Sequence, residues 1–284
     1  MIKALFTSDL HGVADNYDFL FEKIQQELPE AVFIGGDLVG KSNFSAGLDV
    51  NDFLKKYLTD NLQLLKNDLK DKYPKIFVIL GNDDPLSLVD EMENLTERGL
   101  INYVQQKKYL FRNFQIVGYS FVPPTPFLNK DWEKYDVSRF TDVGAVSPEE
   151  GYRSKPVNTT HLRFYTIKHD LKELFSGEDL SHTICLFHSP PYHTDLDRAD
   201  LVGKSIDHVP LDIHVGSIAI KDFILLKAPY ITLHGHIHES TRLTGKWRQK
   251  IGKTNSFQAA SEHGECRIIL LDLDDPSHAK LLSK

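Results

Sequence analysis

Residues 2–11 read Ile-Lys-Ala-Leu-Phe-Thr-Ser-Asp-Leu-His, a short apolar run that breaks off into an acid and an imidazole. The run from Ile2 to Thr7 reads as a buried strand. The same plan recurs along the chain. Ala31 to Ile34 closes in Gly35-Gly36-Asp37, and Ile76 to Leu80 in Gly81-Asn82-Asp83. Thr183 to Phe187 closes in His188-Ser189-Pro190-Pro191, and Tyr230 to Leu233 runs into His234-Gly235-His236-Ile237-His238. Helical spacing fills the gaps between the early strands. Tyr17, Leu20, Phe21, Ile24 and Leu28 share one face of a segment that stops before Pro29. A long amphipathic helix is expected from Asp49 to Leu69, and another from Asp84 to Arg98 with Gly99 as its stop.

Strands alternating with helices predict an α/β fold with a largely parallel sheet at its start. Further on, Phe114 to Ser120 reads as a strand, Leu162 to Phe175 and Ser217 to Lys227 as helices, and Thr241 to Leu273 as several strands. Two long irregular stretches interrupt the pattern, Phe121 to Val157 and Ser189 to Pro210. Loops of that length inside a folded unit usually serve function or move. Without a repeat, a low-complexity tract or a linker, residues 1–284 are read as one domain.

Composition narrows the class. A chain of 284 residues with 41% apolar content can bury a sizeable core. A net charge of −7 speaks against a sequence-blind grip on nucleic-acid phosphates. An acidic protein that handles phosphate needs concentrated positive charge, which bound metal ions supply. Two cysteines, Cys185 and Cys266, exclude a disulfide-stapled scaffold. The polar onset at Thr7-Ser8-Asp9 does not suit a signal peptide, and no window reaches a membrane span, so a cytoplasmic location is expected.

In parallel α/β sheets the C-terminal strand ends converge on one crevice. Asp9, His11, Asp37, Asn82, His188, His236 and His238 all stand at such ends. Asp9 with His11, and His236 with His238, are i, i+2 pairs that would face one way if the backbone stays extended. Each motif alone has an ordinary reading: a loop pair, a Gly-Gly turn, a helix cap at Asn82 or Asp83, a hydrogen-bonded histidine. Three imidazoles within residues 234–238 are the hardest to explain that way, and the full ordered set harder still. Two carboxylates, an amide and four imidazoles form a mixed oxygen and nitrogen set, suited to manganese, iron or zinc rather than calcium. Seven ligands are too many for one reactive ion. They suit two divalent ions sharing a carboxylate, as in hydrolases of phosphate esters.

Asp9-Leu10-His11, Gly35-Gly36-Asp37, Gly81-Asn82-Asp83-Asp84, His188 and Gly235-His236-Ile237-His238 together resemble the ordered motif set of calcineurin-like metallophosphoesterases, in particular its small phosphodiesterases. The resemblance implies a four-layer α/β/β/α sandwich with a dinuclear site at one edge. It implies that Asp9, His11 and His238 hold one metal, that Asn82, His188 and His236 hold the other, and that Asp37 bridges them. It further implies attack on phosphorus by a metal-bridging hydroxide, on a small-molecule phosphoester and foremost a diester. Many members carry a histidine after the third-motif asparagine, where it helps protonate the leaving group. Asp83 stands there instead, although some small phosphodiesterases of the family lack that histidine and remain active.

Asp83, His193 and His234 are the candidates for the leaving-group side, each with a structural reading beside the catalytic one. A phenol or a nucleoside phosphate would need an acid least. Pro123 to Phe127, Lys130 to Glu133 and Ser189 to Lys204 are candidate rim segments. Phe127, Trp132 and Tyr192 would either stack a base or aryl group or pin the loops to the core. Two rival functions of the same fold are a catalytically silent scaffold, as in a retromer subunit, and a nuclease. The full ligand set argues against the first and the acidic charge against the second.

Overall fold

The computed structural model describes residues 1–39, 53–262 and 265–284. In chain order the strands are β1 (Lys3–Thr7), β2 (Ala31–Gly35), β3 (Lys75–Ile79), β4 (Asn102–Tyr103), β5 (Lys108–Phe111), β6 (Phe114–Tyr119), β7 (Thr183–Phe187), β8 (Ser205–Ile206), β9 (Val209–Pro210), β10 (Ile231–His234), β11 (Arg248–Ile251), β12 (Thr254–Gln258), β13 (Arg267–Asp272) and β14 (Lys280–Ser283). The α-helices are α1 (Ala14–Glu27), α2 (Thr59–Leu69), α3 (Val89–Glu97), α4 (Thr159–Phe164), α5 (Ile167–Leu174), α6 (Ile218–Lys227) and α7 (Ser240–Thr244).

Two six-stranded mixed sheets carry the fold. One runs β14-β13-β1-β2-β3-β4, the other β11-β12-β10-β7-β6-β5. β1 through β4 are parallel, as are β6, β7, β10 and β12; β13, β14, β5 and β11 pair antiparallel. Strands buried on both faces read as continuous apolar runs, which is why they stood out in the sequence.

The pleat sends alternate residues into different cores. Ala4 and Phe6 of β1 point between the sheets, with Phe33, Phe77 and Ile79 meeting Ile116, Ile184, Leu186, Ile231, Leu233 and Phe257. Leu5, Val32, Ile34 and Val78 face outward onto Leu20, Ile24, Leu62 and Met92 of α1, α2 and α3. Val117, Cys185 and Phe187 face the opposite side, under Leu171 of α5 and Ile220 and Phe223 of α6. Helices thus cover two stacked sheets on both outer faces, the α/β/β/α order that the resemblance implied.

Three helical expectations need correction. For the helix expected over 49–69, residues 49–52 lie outside those described, and Phe53–Leu58 is a π-helical turn before α2 begins. The helix expected from Asp84 starts only at Val89, because Pro85 is extended and the Asp84 carboxylate is engaged elsewhere. Leu162 to Phe175 is two helices. Thr166 is extended and caps α5, its hydroxyl accepting from His169 N, while Ile167 N donates to Tyr135 O at 2.8 Å. No helix among the described residues is long and apolar enough to cross a membrane.

Candidate metal centre

Where the two sheets meet at their C-terminal rim, the loops after β1, β2 and β3 are bonded to one another. Asp9 N donates to Gly36 O at 3.0 Å, His11 N to Asp37 O at 2.9 Å and Gly12 N to Leu38 O at 2.7 Å. Asp84 locks the next pair of loops. Its buried carboxylate accepts from Leu38 N at 3.0 Å, Val39 N at 2.9 Å and Gly81 N at 2.9 Å. The other sheet joins through Gly235 N, which donates to His188 O at 2.9 Å, and through His188 Nδ1, which donates to Gly35 O at 2.7 Å.

The backbone at the site is not extended, contrary to the geometry the i, i+2 spacing suggested. Asp9, His11, Asp37 and His236 have φ of 58, 49, 52 and 73°, the left-handed region that non-glycine residues seldom adopt. Strain of this kind, of order 1–3 kcal/mol per residue, persists where neighbours hold it and concentrates at functional sites. Two glycines are required by close approach. A Cβ at Gly81 would strike Asp37 Oδ1 and lie 2.7 Å from His188 Cε1, and one at Gly235 would strike Ser8 Oγ and lie 2.5 Å from Asp9 Oδ2.

The side chains then converge. Ligand atoms of Asp9, His11, Asp37 and His238 lie within 4.8 Å of one another. His11 Nε2 is 3.0 Å from His238 Nε2, and His238 Nε2 is 3.3 Å from Asp9 Oδ1. A second set adjoins it through Asp37: His188 Nε2 is 3.4 Å from Asp37 Oδ2 and 2.9 Å from Asn82 Oδ1, and the His188 and His236 rings are 5.2 Å apart. Gly35 O can only accept, so His188 carries its proton on Nδ1 and presents Nε2 to the site, the arrangement usual for metal-bound imidazoles.

Asp9 and Asp37 are buried, and among the described residues no lysine or arginine pairs with either. Burying two carboxylates this close with only imidazoles for company is costly. The imidazoles respond. Burial lowers the pKa of His188, but Asp37 and Asp9 overcome this and hold it at about 10. Burial opposed by the Asp9 hydrogen bond leaves His238 at about 9. Burial and the nearby His188 charge push His236 down to about 3, so its ring is neutral. Burial would raise Asp37, yet His188 keeps it well below the usual carboxylate range. Buried carboxylates compensated only by protonated histidines, with a neutral imidazole beside them, form a donor set that fits divalent cations.

The family profile of calcineurin-like phosphoesterases matches residues 2–240. The chain belongs to this family. It is a metallophosphoesterase, hydrolysing phosphate esters in a metal-dependent reaction. Among solved structures, the fold resembles a crystal structure at 18% identity and TM-score 0.56, covering 100% of this chain and 98% of that one. It likewise resembles the crystal structure of TT1561 of Thermus thermophilus at 16% identity and TM-score 0.56, covering 99% and 97%. A novel archaeal phosphodiesterase matches at 10% identity and TM-score 0.41, covering 99% of each chain. No curated protein matches the chain.

Of the three leaving-group candidates, Asp83 is the one in contact with Asn82, Asp37 and His11 of this cluster. Its Oδ1 accepts from Asn82 Nδ2 at 3.0 Å, its Oδ2 is 4.0 Å from His11 Nδ1, and its N–H donates to Asp37 Oδ1 at 2.7 Å. His234 is fully buried, with Nδ1 on Ser189 O at 3.0 Å and Nε2 on Thr232 Oγ1 at 2.8 Å, and burial lowers its pKa to about 4. Neither nitrogen is left for a leaving group. His193 is exposed on the loop after β7, its N–H donating to Asp197 Oδ2 at 2.9 Å.

The aromatic candidates divide as well. Trp132 is buried and donates Nε1–H to Asp84 O at 2.9 Å, so it pins its loop. Lys130 is also buried, bonded to Glu133, and does not face a rim. Tyr192 donates to Asp212 Oδ2, while Phe127 is exposed. Three residues that support the centre escaped the sequence reading: Asp84 as the clamp, Asn129, whose Nδ2 donates to Asn82 O at 3.1 Å, and Gln258. The last donates from one amide nitrogen to Gly235 O at 2.9 Å and Leu196 O at 3.1 Å. Only Asp84 left a local signal, an acid directly after Gly81-Asn82-Asp83.

Proposed function

We propose that this metallophosphoesterase is a dinuclear phosphodiesterase of small molecules. In this reading Asp9, His11 and His238 hold one cation, Asn82, His188 and His236 hold the second, and Asp37 is shared. The observation that carries it is the buried Asp9–Asp37 pair lacking any lysine or arginine partner among the described residues, with imidazole and amide donors on both sides. When bound, two divalent ions, manganese or iron first and zinc next, polarise the phosphoryl oxygens and lower the pKa of the attacking water.

The chain's own residues orient the donors. Gly35 O fixes the tautomer of His188, and the Asp83 carboxylate turns the Asn82 amide so that its oxygen points at His188 Nε2. The Asp83 N–H restrains one oxygen of Asp37. Asp83 therefore serves as a positioning residue. With His234 fully engaged, the arrangement favours substrates whose leaving group departs without help from a strong acid.

The test is hydrolysis of bis(nitrophenyl) phosphate, a nitrophenyl monoester and a DNA duplex by manganese-loaded protein beside an Asp37→Ala control. Preferential turnover of the diester supports the reading. Bound metal without turnover above the control indicates a scaffold, and salt-dependent cleavage of DNA a nuclease.

A further inference from the structure

The loop between His188 and α6 carries a face that the metal centre does not use. Ala199 N donates to Ile213 O at 2.9 Å and Val215 N to Asp197 O at 3.2 Å. These bonds flank an antiparallel bridge between Arg198 and His214. Residues opposed in this way form the close, non-hydrogen-bonded type of pair, with side chains on the same face. The His193 ring stands edge-on to His214, centroids 4.6 Å apart. Arg198, His214 and His193 thus share one surface.

On that surface the Arg198 charge is uncompensated. Among the described residues, the Arg198 guanidinium makes no ion pair or hydrogen bond, and its Nε is buried without a partner. A buried donor left bare costs free energy, and an anionic ligand would supply the partner that Arg198 lacks within the chain. The nearby acids are committed elsewhere. Asp197 accepts from His193 N at 2.9 Å, Thr194 N at 2.8 Å, Gly216 N at 3.1 Å and His214 Nδ1 at 2.8 Å. Asp212 accepts from Tyr192 Oη and from His214 N, and Asp200 pairs with Arg242. Asp197 fixes Nδ1 of His214, which leaves Nε2 open.

This loop is tied to the metal centre. Gln258 bridges Leu196 O and Gly235 O, and Asp200 N donates to Glu239 Oε1 at 3.1 Å, next to His238. We infer that Arg198, with His214 and His193, forms an oxyanion subsite for a second phosphate of the substrate. Arginine matches phosphate geometry with its planar fork. Resting on the proposed phosphodiesterase reading, this names the substrate class as a pyrophosphate-linked diester. Water adds its hydroxyl to the reacting phosphorus and gives its other proton to solvent. The bond to the bridging oxygen breaks, and the second phosphate departs with the bonding electron pair. Such a leaving group needs no histidine at position 83.

The experiment is a titration of metal-free protein with inorganic pyrophosphate, followed by the imidazole signals of His193 and His214 in nitrogen–proton NMR. Saturable shifts are expected, with affinity weakened at least about tenfold in Arg198→Gln and partly restored in Arg198→Lys. Thermal melts confirm that the variants fold. Unmoved histidine signals, or equal affinity in Arg198→Gln, would overturn the subsite. Because binding is read without metal or turnover, its failure is separable from failure of the hydrolase reading.

Discussion

His11 Nε2 stands 3.0 Å from His238 Nε2, although 227 residues separate them in sequence. Two imidazole nitrogens this close, beside two buried carboxylates, form a donor set that fits a cation. Asp37→Ala removes the carboxylate common to both donor sets. It is expected to bind neither cation stably and to lose at least about a hundredfold in kcat/KM. Metal content by mass spectrometry and turnover of bis(nitrophenyl) phosphate check this. Full metal occupancy in the variant would contradict it.

Metal uptake should release protons. His188 and His238, with pKa about 10 and about 9, are protonated at pH 7 in the metal-free protein and must be neutral to bind. Affinity therefore rises with pH, with about two protons released per protein near pH 7. Calorimetry in buffers of different ionisation enthalpy measures this number.

The same shifts fix the stability of the metal-free protein. A histidine raised above its unfolded value stabilises fully below that value, and the contribution fades as pH climbs through the folded pKa. Metal-free protein is expected to lose stability between pH 6.5 and 10. Urea midpoints that rise across this window would refute the assignment.

Asp84 satisfies three backbone N–H groups in two loops. Orphaned buried donors cost about 1–3 kcal/mol each, so Asp84→Ala should destabilise by about 3 kcal/mol or more. Chemical denaturation measures it. Trp132→Phe, which loses the bond to Asp84 O and part of a buried ring packed on Phe121, should cost less, about 1–3 kcal/mol.

With Asp83 positioning Asn82 rather than giving up a proton, rates should fall steeply as the leaving group becomes more basic. Asp83→Ala should lower kcat by a similar factor, about tenfold, for nitrophenyl and alkyl diesters alike. A loss confined to the alkyl diesters would identify Asp83 as the acid.

The centre was legible because each donor follows a strand buried on both faces, and such strands announce themselves as unbroken apolar runs. The i, i+2 spacing of Asp9–His11 and of His236–His238 implies extended backbone, which the site does not have. Left-handed backbone at Asp9, His11 and His236, not an extended chain, aims these side chains. The helix after β3 begins late because Asp84, a capping-type residue, is held by Leu38 and Val39 of a distant loop. Asn129 and Gln258 act through tertiary hydrogen bonds to backbone carbonyls, which leave no periodicity or local motif to read.

The most direct test of the account is anomalous diffraction from crystals grown with manganese. Two peaks about 3.5–4 Å apart with the Asp37 carboxylate between them are expected. A single peak, or peaks away from Asp37, would contradict it.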